Sequence, residues 1–110
     1  MNENQIDNFE KAQTQLESLH AEIGALAKKS PNDALNEFKL NFVNQSFAKA
    51  NEVLGKKYKP FADFEQFDND RMPTNSDVTM MLGQYIGCME KLRSDNVDKY
   101  GNWLNRKKTI

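Results

Sequence analysis

Between residues 4 and 29 the apolar side chains Phe9, Ala12, Leu16, Leu19, Ile23 and Leu26 recur at spacings of 3, 4, 3, 4 and 3. A strand would put alternate residues on one face, so this period selects a helix carrying a single apolar seam. A seam of this kind needs a partner surface, either a second chain in a coiled coil or further helices of the same chain. Helix 1 is therefore expected over about residues 4–29, with Lys28 and Lys29 in its last turn facing the negative end of the helix dipole.

The partner is predicted to follow at once. Ser30-Pro31-Asn32-Asp33 reads as a helix restart, with Ser30 as N-cap, Pro31 at the first helical position and Asp33 answering the free amides of the first turn. So short a connection implies an antiparallel hairpin. Helix 2 is expected over about residues 31–54 and stops at Gly55, a residue suited to a positive φ. At 100° per residue, Leu35, Phe38, Phe42 and Val53 make one apolar stripe, and Leu40, Val43, Phe47, Ala50 and Leu54 make a second beside it. Two stripes predict a central helix covered from two sides.

Residues 55–73 break the pattern with Gly55, Pro60, Pro73 and dense charge. A loop of this length needs local structure or a task. Phe61, Phe64 and Phe67, three apart, suggest a short helix or 3₁₀ turn after Pro60 that folds its rings over the open end of the hairpin. Thr74 and Asp77 form a capping-box pattern that opens helix 3. Val78, Leu82, Tyr85, Met89 and Leu92 give it a core stripe over about residues 75–94. Beyond Asp95 the pattern either runs on to about residue 106 or breaks into a short C-terminal helix, because Asp95, Asn96 and Gly101 all weaken a helix. The expected fold is thus all-α, a single domain over residues 1–110. It is a three-helix bundle built from a helical hairpin, a third long helix and a long aromatic loop.

Composition narrows the function. The chain has 110 residues, 15 Lys and Arg against 16 Asp and Glu, one His and one Cys. A formal charge of -1 removes the compositional argument for general nucleic-acid binding. One cysteine excludes an internal disulfide, and no His/Cys set exists for a structural zinc site. No run approaches the roughly 20 apolar residues of a membrane span, and the first residues have no signal-peptide character. A cytoplasmic protein without membrane attachment is the expectation.

Nucleophilic catalysis would need Cys88 activated by His20, far apart in sequence, and no other reactive set suggests itself. Asp63, Glu65, Asp68 and Asp70 lack the glycine and terminal glutamate of a calcium loop and read as solvated acids. There is no P-loop, dinucleotide fingerprint or HExxH motif. The chain is accordingly expected to have no catalytic residues, no metal and no cofactor.

Two binding surfaces are predicted instead. Gly83 and Gly87 make a G-x-x-x-G spacing opposite the core stripe of helix 3. With Met80, and with Tyr100, Trp103 and Leu104 ahead of the basic end Arg106-Lys107-Lys108, they are candidates for a subunit or partner interface. Lys56, Lys57, Lys59 and Arg71 would gather near Thr74, Asn75 and Ser76, where a helix N-terminus suits an anionic group. The reading that results is a small helical protein-interaction module, an inhibitor, adaptor or regulatory binding protein that self-associates. The competing reading is a module that sequesters a phosphorylated small molecule, nucleotide or nucleic-acid segment through the basic loop.

Overall fold

The structure, a computed structural model, describes residues 1–104. It is an all-α three-helix bundle: α1 spans Glu3–Lys29, α2 Glu37–Tyr58 and α3 Asn75–Asp95, with a 3₁₀ turn at Asn69–Arg71 in the loop between α2 and α3. Helix α1 opens on a capping box. Asn2 Oδ1 accepts from the Gln5 amide at 2.8 Å, and Gln5 Oε1 accepts from the Asn2 amide at 2.9 Å. Ile6, Phe9, Ala12, Leu16 and Ile23 of its seam are buried, and Leu19 and Leu26 are half-buried against the core.

Helix α2 begins six residues later than the sequence pattern suggested. Ser30 closes α1, its amide donating to Leu26 O at 2.8 Å, and starts nothing. Residues 31–35 run beside the entry to α3 instead. The Leu35 amide donates to Pro73 O at 2.9 Å, and Ala34 forms an isolated antiparallel bridge with Thr74. Pro31 and Asp33 carbonyls accept from the Ser76 and Asn75 amides at 3.0 and 2.9 Å. A partner in space thus satisfies the backbone groups that a helical turn would otherwise have satisfied internally. The true N-cap of α2 is Asn36, whose side chain accepts from the Lys39 amide at 2.8 Å. At the other end, Gly55 has φ 62° and ψ -174°, which breaks the helix before a last turn ending at Tyr58.

One of the two apolar stripes predicted for α2 meets the core along its whole length, and the other meets it only at its ends, through buried Leu35 and half-buried Val53. Leu40, Val43, Phe47, Ala50 and Leu54 are all buried, whereas Phe38 and Phe42 are 72% and 46% exposed. The expectation that α2 is the central helix is therefore corrected, since the most extensive helix contact is between α1 and α3. These two run antiparallel and approach through small residues. A Cβ on Gly24 would lie 3.8 Å from Thr79 Cγ2, and one on Gly83 would lie 3.5 Å from His20 Nε2. With α1 and α3 closed on each other, one face of α2 completes the core, and Phe38 and Phe42 in the middle of the other stripe stay exposed among the described residues.

Helices α2 and α3 run parallel. Their starts are joined by the Leu35–Pro73 backbone bond and their ends by Tyr58 Oη donating to Asp95 Oδ2 at 2.8 Å. The connecting loop must then travel back along the bundle, and its rings fill the wedge between the two helices rather than cap the open end. Phe64 and Phe67 pack on Phe47 at centroid distances of 5.4 and 5.8 Å, and Phe47 packs on Tyr85 at 4.7 Å. Phe61 stays 46% exposed, and the 3₁₀ turn lies after Phe67, capped by Asp68, not directly after Pro60.

Two asparagines of α2 hold the loop backbone in place. Asn44 donates to Phe67 O and accepts from the Phe67 amide, both at 3.0 Å. Asn51, two turns on, donates to Glu65 O at 2.9 Å and accepts from Tyr85 Oη at 2.6 Å. Every buried side-chain N or O among the described residues has a partner. Helix α3 carries the Thr74–Asp77 capping box, ends at Asp95 and does not continue. A short bridge pairs Val97 with Trp103 around Gly101, whose φ is 83°, and lays the Trp103 ring edge-on against Phe9 at 5.2 Å. No C-terminal helix occurs among the described residues, and Arg106-Lys107-Lys108 lie outside them.

Candidate protein interface

The partly uncovered stripe of α2 borders a long groove against α1. Because α1 and α2 are antiparallel, Phe38 and Phe42 stand opposite Leu19 and Ile23, and Val53 and Lys56 stand beyond Ala12 toward Gln5 and Met1. Two depressions of about 510 Å³ each, meeting at Lys49, make up this groove. From Phe38 to Leu54 it extends about 24 Å at the 1.5 Å rise of a helix, with Lys56 past the break at Gly55. Phe38 and Phe42, one turn apart, lean edge-on toward each other at 5.1 Å and shield part of each other's surface. Sequence reasoning had assigned both rings to the core, and their pairing at i and i+4 is the only sequence signal that could have marked them as a surface unit.

The interface candidates on α3 and in the segment after it fall in two groups. Met80, Tyr100 and Leu104 are 59%, 76% and 58% exposed. Gly87 faces open space, but Gly83 is covered by the His20 ring, so the G-x-x-x-G spacing does not form an open groove. Its first glycine serves the α1–α3 approach. Trp103 is half-buried on Phe9 and acts as the anchor of the C-terminal segment.

The anion-site residues are not brought together. Lys56 and Lys57 lie at the end of α2, beside Leu92 and Asn96, whereas Thr74, Asn75 and Ser76 lie at the opposite end of α3. The intervening 21-residue helix is about 30 Å long. The amides of Asn75, Ser76 and Asp77 already donate to Asp33 O, Pro31 O and Thr74 Oγ1, which leaves an anion none of the first three. The Asn75 side chain is buried and donates to Ser30 O at 2.9 Å. Lys59 is paired with Glu65 and also donates to Ala62 O, and Lys57 sits over the Tyr58 ring at 5.2 Å. Arg71 closes the 3₁₀ turn and is exposed.

Among the described residues, His20 and Cys88 do not form a reactive pair. His20 packs on Gly83 and has no hydrogen bond to Cys88, and burial pushes the Cys88 thiol up, away from the thiolate form. Of the loop acids, Glu65 pairs with Lys59 and Asp68 caps the 3₁₀ turn. No group of three or more potential metal ligands occurs among the described residues. No helix among them is long and apolar enough to cross a membrane. Comparison with protein-family models, with curated proteins and with solved structures returned no match to this chain.

Proposed function

We propose that the protein is a small helical protein-interaction module, an inhibitor, adaptor or regulatory binding protein that acts by contact rather than catalysis. The exposed Phe38–Phe42 pair beside the α1/α2 groove carries this reading. Large aromatic rings are the usual anchors of protein interfaces and cost solvation free energy when left in water. At their observed exposures the two rings offer roughly 240 Å² of apolar surface, about 6 kcal/mol of gross burial before the cost of association. Self-association through Met80, Tyr100 and Leu104 belongs to the same reading, because these apolar side chains are exposed on α3 and just after it.

The test is a comparative capture from the native cells. Wild-type protein and a Phe38→Ser, Phe42→Ser variant of unchanged helicity are immobilised, and bound proteins are identified by mass spectrometry. A partner retained by the wild type and lost from the variant is the expected result, and identical recovery by both overturns the reading. For self-association, light scattering should give a multiple of the chain mass that falls to the monomer in Met80→Glu, Tyr100→Glu. A monomeric wild type removes that part.

A further inference from the structure

The groove has a charge of its own. Among the described residues its lysine-rich end is lined by Lys11, Lys49, Lys56 and Lys57 against Glu52, with Asp95 close by, bound to Tyr58 and near Lys57. At its aromatic end Lys39 is offset by Glu22. Five lysines thus face two glutamates along a groove in a chain whose formal charge is -1, and the excess lies at one end. Between the charges the apolar Ala12, Leu19 and Val53 and the two exposed rings alternate with uncharged polar side chains such as Asn8, Gln15 and Gln45.

We propose that this groove seats an amphipathic helix of a partner protein. Its apolar stripe lies along the floor and against Phe38 and Phe42, and its carboxylates cluster at the end that meets Lys49, Lys56 and Lys57. The proposal rests on the interaction-module reading and names the partner's chemistry. A groove between two antiparallel helices accepts a third helix by ridge-and-groove packing, and its length of about 24 Å up to the break at Gly55 matches about 16 helical residues. Charge complementarity selects an acidic occupant and fixes its direction.

The same lining argues against other occupants. A nucleic-acid backbone would have to pass Glu22 and Glu52, no arginine among the described residues lines the groove, and Phe38 and Phe42 meet edge-on rather than offering a flat face to a base. A second copy joined through the same face, in either direction, would bring only Glu22 and Glu52 to meet five lysines.

The experiment places a photo-crosslinking p-benzoylphenylalanine in the full chain, in place of Phe42 in the groove or of Met80 on α3, in the native cells. The crosslinked segment is then sequenced. The expected product at Phe42 is a segment of another protein with apolar residues at helical spacing and acids clustered at one end. A synthetic peptide of that segment should bind wild type at least tenfold more tightly than Lys49→Glu, Lys56→Glu, while Lys99→Glu binds as wild type. Crosslinks from Phe42 to nucleic acid, to this chain itself or to a segment without acids overturn the proposal, as does equal binding by the charge-reversed variant. Crosslinks to a protein from Met80 alone overturn the groove assignment and leave the interaction-module reading standing. No protein crosslink from either site overturns both.

Discussion

Replacing Asn44 by alanine removes one side chain and strands two backbone groups. Asn44 is 7% exposed, and its amide holds both the N–H and the C=O of Phe67 at 3.0 Å. A net contribution of about 1 kcal/mol per hydrogen bond, with a further desolvation cost for the part-buried groups left unpaired, puts the loss at about 2–4 kcal/mol. A chain of this size should then lose roughly 10–20 °C in Tm. The Phe67 ring is packed on Phe47 and Phe64, so release of its backbone should also loosen the aromatic wedge between α2 and α3. Urea unfolding followed by circular dichroism measures the stability change, and hydrogen exchange at the Phe67 amide measures the local opening. Asn44→Asp sharpens the test. Its carboxylate can still accept from the Phe67 amide but opposes the Phe67 carbonyl, so much of the loss should be recovered when acid protonates it. A change below about 0.5 kcal/mol in Asn44→Ala, with Phe67 exchange still slow, would refute the claim that this amide holds the loop.

The same substitution should act with opposite sign at two glycines. Gly55→Ala should destabilise by about 1–3 kcal/mol, because φ 62° with ψ -174° is essentially a glycine conformation, whereas Gly87→Ala, inside α3 with open space around it, should stabilise by about 0.5–1 kcal/mol; chemical denaturation reads both. Tyr85 is pushed up to about 12, first by burial, with its hydrogen bond to Asn51 acting the other way. An acid whose folded pKa is raised is held neutral while the unfolded chain ionises, so stability should be unaffected below pH 10 and fall as pH rises from about 10 to about 12. A Tyr85→Phe variant that shows the same alkaline fall would contradict this. Cys88 should react slowly with a thiol reagent at neutral pH until denaturant is added, and native reactivity matching a free thiol would revive the catalytic reading.

Much of the helical layout was legible because it rests on local rules. The 3-4 seam of α1, the core stripe of α3 and the Thr74–Asp77 box are each decided within a few turns of chain. Where reading failed, a distant segment had changed the local answer. Ser30-Pro31 satisfies every local rule for a helix start, yet the backbone after it pairs with residues 73–76. Asn44 and Asn51 carry no sequence sign of their role beyond standing seven residues apart beside a buried stripe, since their partners lie 14 to 34 positions away. The candidate groove was missed for a related reason. Two apolar stripes on one helix imply two covering surfaces only if two are available.

By itself, the sequence determined that this chain forms three amphipathic helices and where most of their ends fall, because periodicity and capping act over the few residues that a helical turn spans. Only the tertiary structure decided which helix pair closes most fully, that Phe38 and Phe42 are left in water, and that the lysines of residues 56–59 lie far from the start of α3. Those outcomes depend on how α1 packs on α3 and on the path of a loop across the bundle, and both are set by contacts between residues remote in the chain.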